Sequence, residues 1–169
     1  MVSSRNELFE QDKCNAELRY YKASSSIPVL LLGDVGRKMS SLLPEKARKL
    51  LEEKNFAFIG TIANDGSPHV TQTWVDMDGE YVLINTAIGR AKEKNTRRDP
   101  RVWVAVADHS NPYNQVMIKG SVVERITGEV AESHIDKLAK KYTGLEKYGS
   151  RRPGERRIIL KIKAQRVFF

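Results

Sequence analysis

Between Phe56 and Thr86 the chain runs FAFIGTIANDGSPHVTQTWVDMDGEYVLINT, three β-rich stretches separated by the turn signals Asn64-Asp65-Gly66 and Asp78-Gly79. This succession constrains the fold more than any other feature. Asn, Asp and Gly tolerate the positive φ of a tight turn, and loops this short join only antiparallel neighbours. The spacing therefore predicts three antiparallel strands in series, over FAFIGTIA, PHVTQTWVDM and EYVLINT. Downstream, RVWVAVAD begins another strand, NQVMIKGSVVERIT is long enough for a bent strand with a bulge near Gly120, and RRIILKIKAQRVFF closes the sheet. Three helices interrupt this β pattern. SLLPEKARKLLEEKN has Pro44 in its first turn, Ala47, Leu50 and Leu51 on one face, and an end near Asn55. RAKEKNTRRD is one short helix stopped by Pro100, and EVAESHIDKLAKKYTG places Val130, Ile135, Leu138 and Ala139 on an apolar face before Gly144 ends it. A helix, about six strands with a short helix between them, a second long helix and a last strand imply a mainly β protein, a small antiparallel barrel flanked by helices.

The 169 residues, 40% of them hydrophobic, suffice for one domain with a core plus an extension. Residues 1–38 form the extension and residues 39–169 the domain. SSRNELFEQDKCNAELRYYKA matches an amphipathic helix with Leu8, Cys14, Leu18 and Tyr21 loosely in phase, followed by a link and a short apolar segment. The segment VLLLGDVGRKMSS resembles the phosphate loop of small GTPases. In that register Lys38 stands where the loop needs Gly and Met39 where it needs Lys, so both the close backbone approach and the phosphate-binding ammonium are lost. Met39 is a candidate start for a self-sufficient domain. Cys14 is alone, which excludes an internal disulfide and a cysteine zinc site. The longest apolar run, Ile27–Leu32, is far short of the roughly 20 residues that span a bilayer. These features point to a cytoplasmic protein with no membrane partner.

The formal charge of +8, from 29 Lys and Arg against 21 Asp and Glu, favours anionic ligands: nucleic acid, a membrane surface or a phosphorylated cofactor. Part of it is concentrated in NTAIGRAKEKNTRRDP, where Arg90, Lys92, Lys94, Arg97 and Arg98 meet only Glu93 and Asp99. Arg90 and Lys92 flank the start of the short helix, where unpaired N–H groups and the helix dipole already favour an anion. Arg offers a planar fork to phosphate oxygens and Lys a mobile point charge. Lys94, Arg97 and Arg98 read as a solvated helix face.

The succession of hairpins followed by RAKEKNTRRDPRVWVAV resembles the split-barrel flavin and deazaflavin reductases, the superfamily that includes pyridoxamine 5′-phosphate oxidase. The resemblance covers about Ser40 to the C-terminus. It implies FMN or the deazaflavin coenzyme F-420 as cofactor, a small-molecule substrate, and a homodimer with two cofactor sites at the interface. By family position Val70, Thr71, Gln72 and Thr73 line the cofactor ring through backbone and side-chain contacts, and Asn95 matches the family pattern, although its helical spacing also suits it to pin the loop. Asn85 and Thr86, at the end of the preceding strand, are placed for amide and hydroxyl bonds to the phosphate or the ribityl chain. Trp103, Met117 and the Arg166–Phe169 segment are candidates to complete the site from a neighbouring subunit.

Such a cofactor carries the hydride chemistry while the protein supplies position and electrostatics, so no protein nucleophile is required. In keeping with this, His69, His109 and His134 lack metal-ligand spacing, and no G-x-S-x-G or H-E-x-x-H motif occurs. His134 reads as a partly exposed helix residue, His69 as structural, and Trp74 and Trp103 as core or interface residues, either able to border a pocket. The chain ends KAQRVFF, without the R-L-x-P type motif with which pyridoxamine phosphate oxidases grip substrate, and NTRRDPR is closer to the deazaflavin-dependent branch. Two other readings stand beside this one. A nucleic-acid-binding module would extend the basic patch with Tyr142, Tyr148, Arg151, Arg152, Arg156 and Arg157, and a non-catalytic flavin carrier or sensor would keep the fold without turnover.

Overall fold

A computed structural model of the chain describes residues 43–169; the amphipathic segment and the phosphate-loop-like segment at residues 29–41 lie outside the described residues. Helix α1 (Glu45–Glu52) follows Pro44 at its N-cap and buries Ala47, Leu50 and Leu51, the face its periodicity predicts. It ends before Asn55, because Glu53 is already extended. Strands β1 (Ala57–Ile62) and β2 (Pro68–Thr73) form the first hairpin, across a turn in which Gly66 has φ +85° and the Asp65 carboxylate accepts from Ser67 N–H and Oγ.

The predicted second strand, Pro68 to Met77, is two strands. After β2 the chain breaks at Trp74-Val75 and resumes as β3 (Asp76–Asp78), which pairs with β4 (Tyr81–Ala87) instead of β1. Helix α2 (Ala91–Arg98), strand β5 (Arg101–Ala107), strand β6 (Gln115–Thr127), helix α3 (Glu129–Thr143) and strand β7 (Arg157–Phe168) complete the chain. The sheet order is β2-β1-β5-β6-β7-β4-β3, with every pair antiparallel.

That order forces the sheet to roll. In an open sheet, strands about 4.8 Å apart would separate β2 from β3 by about 29 Å. Thr73 and Asp76 are three residues apart and can span at most about 11 Å. The two edges therefore meet at the Trp74-Val75 corner, and the seven strands enclose a core that includes Ile59, Val82, Val104, Ile118, Leu160 and Ile162. This is a split barrel: rolled, with its β2 and β3 edges joined by the chain and not by a ladder. Helix α1 adds Leu43, Leu50 and Leu51 to the same core.

Side chains from α3 replace the missing strand partners at the corner. The Tyr142 hydroxyl accepts Val75 N–H at 3.2 Å and donates to Asn55 C=O at 2.6 Å, while Lys141 Nζ donates to Val75 C=O at 2.9 Å. Burial pushes the Tyr142 phenol up to about 12. A backbone group turned away from the sheet must be satisfied elsewhere, and these partners sit almost seventy residues on in sequence, beyond the reach of local alternation. The buried stripe of α3 runs through Ala131, Ile135, Leu138 and Tyr142, which turns Val130 outward; it is 60% exposed, contrary to its expected place on the apolar face. Gly144, in the left-handed conformation, ends the helix as expected.

The bulge expected near Gly120 is present, as a register shift between Lys119 and Gly120. A Cβ at Gly120 would lie 2.6 Å from Lys163 C=O, so only glycine lets β7 approach there.

Candidate functional site

Four parts of the chain converge beside the corner: the end of β2, the end of β4, the turn into α2, and the start of β7. With α3 they enclose a cleft of about 230 Å³. One side is apolar and aromatic, formed by Phe56, Trp74, Ile135 and Tyr148. Trp74 stacks on Tyr142 at 5.2 Å and meets Tyr148 edge-on at 5.7 Å, so the wall is braced from behind. The other side is polar and cationic, formed by Gln72, Thr73, Asn85, Arg90, Lys92 and Arg157.

The cationic side is built on the α2 start. Arg90 is the N-cap, in extended conformation, and no side chain caps the first turn. Gly89, at φ +87°, supplies the sharp entry, and Gly89 N–H donates to the buried Glu93 carboxylate at 2.9 Å. Burial works to raise the Glu93 carboxyl, but that hydrogen bond and those from Arg97 hold it below its ordinary value. Glu93 is thus spent on the turn and on Arg97. Arg98 reaches back to Ile62 C=O at 2.6 Å and Lys94 is exposed, which keeps the last turns of α2 away from the cleft.

Charge is not balanced in the cleft. The Glu155 carboxylate is shared by Arg90, at 2.8 Å, and Arg157, at 2.7 Å. Burial opposes its ionisation, yet the hydrogen bonds from Arg157 and Arg90 hold its carboxyl below the ordinary range. Among the described residues Lys92 has no carboxylate partner within ion-pair distance, so three cations face one carboxylate. Burial, then Arg90 and Arg157, depress the Lys92 ammonium below the usual lysine range. A dianion entering the cleft would relieve both repulsions.

Of the residues expected to contact a cofactor, the structure brings Gln72, Thr73, Asn85, Arg90 and Lys92 together on the cleft. The others lie elsewhere. Strand alternation sends neighbours to opposite faces. Val70 shares the outer sheet face with Gln72 but stands two residues back along β2, 61% exposed, and Thr71 faces the other way with a buried Oγ1 that has no hydrogen-bond partner among the described residues. Thr86 is turned from Asn85 in the same way, buried, with Oγ1 also unpartnered. Asn95 Nδ2 donates to Thr61 Oγ1 at 3.0 Å and pins α2 to β1. Asn85 lines the cleft, but its amide hydrogens face Ala131 C=O at 2.8 Å and His134 Nδ1 at 3.3 Å. Its Oδ1 accepts from Arg157 Nε at 2.8 Å.

Arg157 is the principal cleft residue that sequence reasoning placed elsewhere. It is buried, opposite Ala87 in the β4–β7 ladder, with its guanidinium 5.3 Å over the Tyr148 ring. Nothing in RRIILKIK distinguishes it from its neighbours except that it opens a buried run. Phe56, Ile135 and Tyr148 reach the cleft only through tertiary packing. The same geometry disperses the proposed nucleic-acid patch: Tyr142 and Arg157 are buried, and Arg151 is held by Glu132 and Asp136 on α3. His134, expected as partly exposed, is buried between Asn85 and Asp76. Among the described residues no group of His, Cys, Asp and Glu could hold a metal ion, and no helix is long and apolar enough to cross a membrane.

Comparison with known proteins agrees with this architecture. An F-420 reductase is 25% identical, its alignment covering 74% of this chain and 98% of that one, with a TM-score of 0.64. A conserved hypothetical protein from Mycobacterium tuberculosis is 21% identical over 79% of this chain and 88% of its own, with a TM-score of 0.56. HupZ from group A Streptococcus shares the fold at 14% identity, covering 74% and 91% of the two chains with a TM-score of 0.51. No curated protein matches the chain. The profile of the pyridoxamine 5′-phosphate oxidase family matches residues 43–169, which takes in the rolled sheet, all three described helices and every residue of the cleft. By that match the chain belongs to the pyridoxamine 5′-phosphate oxidase family.

Proposed function

We propose that the chain is an oxidoreductase that binds FMN or the deazaflavin F-420 in this cleft and exchanges hydride with a small-molecule substrate. The observation that carries the reading is Lys92, without a carboxylate partner among the described residues, between Arg90 and Arg157 and opposite an aromatic wall. The donors fit a phosphate-bearing cofactor: two guanidiniums, one ammonium and an uncapped helix start converge on one end, where charge-assisted bonds are strongest. Gln72 and Thr73 offer polar groups beside them for hydroxyls of the linking chain. The tricyclic ring, when bound, supplies the hydride chemistry. The protein's own contributions are to hold the phosphate, to present Trp74, Tyr148 and Phe56 as a dry wall, and to leave one side open for substrate. The F-420 reductase at 25% identity supports the deazaflavin, and the family match leaves FMN beside it.

The open side also motivates a homodimer. Phe58, Val70, Trp103, Met117 and Phe168 are exposed and share one sheet face by register: Phe58 opposes Gln72, Gly60 opposes both Val70 and Trp103, and Met117 opposes Phe168. Trp103 stacks on Phe168 at 5.6 Å, and Gly60 leaves a gap between Val70 and Trp103. Large exposed apolar faces mark interaction sites. This one includes Gln72 of the cleft, so a second copy seated on it would stand at the cleft mouth.

Titration of the purified full chain with FMN and, separately, with F-420, followed by the change in ring absorbance and fluorescence, tests the reading. Saturable binding of at least one is expected, with spectral bleaching or recovery on reaction with a substrate. Absence of binding to both overturns it.

A further inference from the structure

Behind the cleft a chain of polar side chains continues where the cofactor reading needs none. Asp76, at the start of β3, is buried, and its Oδ2 accepts from Lys137 Nζ at 2.6 Å and lies 3.3 Å from His134 Nε2. His134 Nδ1 faces Asn85 Nδ2 at 3.3 Å, and Asn85 Oδ1 accepts from Arg157 Nε at 2.8 Å. Arg157 then meets Glu155, which also holds Arg90. Only the last members, Asn85, Arg157 and Arg90, line the cleft.

The hydrogen-bond chemistry of this chain has one consistent assignment. An amide nitrogen only donates, so His134 Nδ1 must accept and the ring proton sits on Nε2. Burial opposes the Asp76 charge, yet the contacts with His134 and Lys137 hold its carboxyl well below the usual range, so a carboxylate stands 3.3 Å from Nε2 without the geometry of a hydrogen bond to it. Asn85 is close to symmetric in shape and could rotate its amide. In the rotated form its NH₂ would meet the Arg157 Nε–H, donor against donor, and its oxygen would meet the Ala131 carbonyl. Ala131 C=O takes one amide hydrogen; the other has only His134 Nδ1.

We infer that His134 is a positioning residue of the anion site. Through Nδ1 it fixes the Asn85 amide, and Asn85 in turn holds the Arg157 guanidinium in the cleft. The inference rests on the reading of the cleft as a cofactor phosphate site, and it deepens that reading by tying the site's cation geometry to helix α3 and to the β3 edge of the barrel.

The test compares binding of each cofactor with that of its phosphate-free counterpart, riboflavin for FMN and the deazariboflavin chromophore for F-420, using full-length variants. His134→Leu should weaken the phosphate-bearing ligand roughly tenfold, the effect of removing one partner from a buried hydrogen-bonded pair. The phosphate-free ligand should be unaffected. His134→Asn, whose Oδ1 falls near the position of Nδ1, should restore the affinity, and His134→Gln, which reaches instead toward the Nε2 position, should not. If His134→Leu fails to fold, the Asn and Gln variants carry the same comparison. Equal affinity in His134→Leu and wild type, equal losses for both ligand forms, or equal behaviour of the Asn and Gln variants would overturn the inference. Failure of the wild-type chain to bind any of these ligands would overturn the cofactor reading, and this inference with it.

Discussion

Lys92 is charged in a place that opposes charge. Burial and two neighbouring cations depress its ammonium, so part of the cost of holding it charged is already built into the fold. An anion reverses the balance, because Coulomb attraction at contact distance in a half-buried site exceeds what the same pair would have in water. The sign of the pH dependence follows. Only protonated Lys92 attracts phosphate, so affinity is full below the lowered value and is lost as pH rises through it. The wild-type dissociation constant is therefore expected to rise with pH before the ordinary lysine range is reached, whereas Lys92→Ala should show weaker binding without that alkaline limb. A Kd-versus-pH series by fluorescence titration checks this, and an unchanged alkaline limb in the variant would remove Lys92 from the site.

Among the secondary-structure elements, the corner between β2 and β3 determines the most. It closes the barrel, sets Trp74 against the cleft, and depends on a helix side chain for its hydrogen bonds. Tyr142→Phe keeps the stacking on Trp74 but leaves Val75 N–H and Asn55 C=O without their partner, and should cost about 1–3 kcal/mol in unfolding free energy. Chemical denaturation measures it; a cost near zero would mean that water satisfies both groups. The corner also explains what was legible in the sequence. Hairpins at Asn64–Gly66 and Asp78-Gly79, the α1 face, the α2 segment and the Gly120 bulge are local signals, written within a few residues of where they act. The break at Trp74-Val75 is not local, since its partners are Lys141 and Tyr142, and alternation through PHVTQTWVDM continues across it. The same distinction divides the cleft. Arg90 and Lys92 lie on one short basic segment and were legible; Arg157 meets Asn85 across 72 residues and Glu155 meets Arg90 across 65, so neither pairing leaves a trace in either stretch. Thr71, Thr86 and Asn95 mark the opposite limit: their places along strand and helix were legible, but the buried direction of each side chain was not.

For the molecule as a whole, the exposed face around Trp103 and the open cleft are two consequences of one rolled sheet. If a second copy covers that face, Trp103→Glu, which puts a charge among exposed apolar side chains, should shift the chain to monomer in sedimentation and weaken cofactor binding in parallel. A dimer that persists in Trp103→Glu would assign the interface to another surface. Among the described residues the cleft is lined from Phe56 to Arg157, and deleting residues 1–38 is expected to leave cofactor affinity unchanged in the same titration; loss of binding in a folded truncation would bring the extension into the site. The central claim is that Arg90 and Lys92 hold the phosphate of a bound redox cofactor, and it is tested most directly by calorimetric titration of wild type and of the Arg90→Ala/Lys92→Ala double variant with the phosphate-bearing cofactor and with its phosphate-free counterpart. Charge-assisted contacts of roughly 1.5–3 kcal/mol each predict that wild type prefers the phosphate-bearing form by at least about a hundredfold and that the folded double variant, which keeps only Arg157, loses most of that preference. The same preference in wild type and variant would contradict the account.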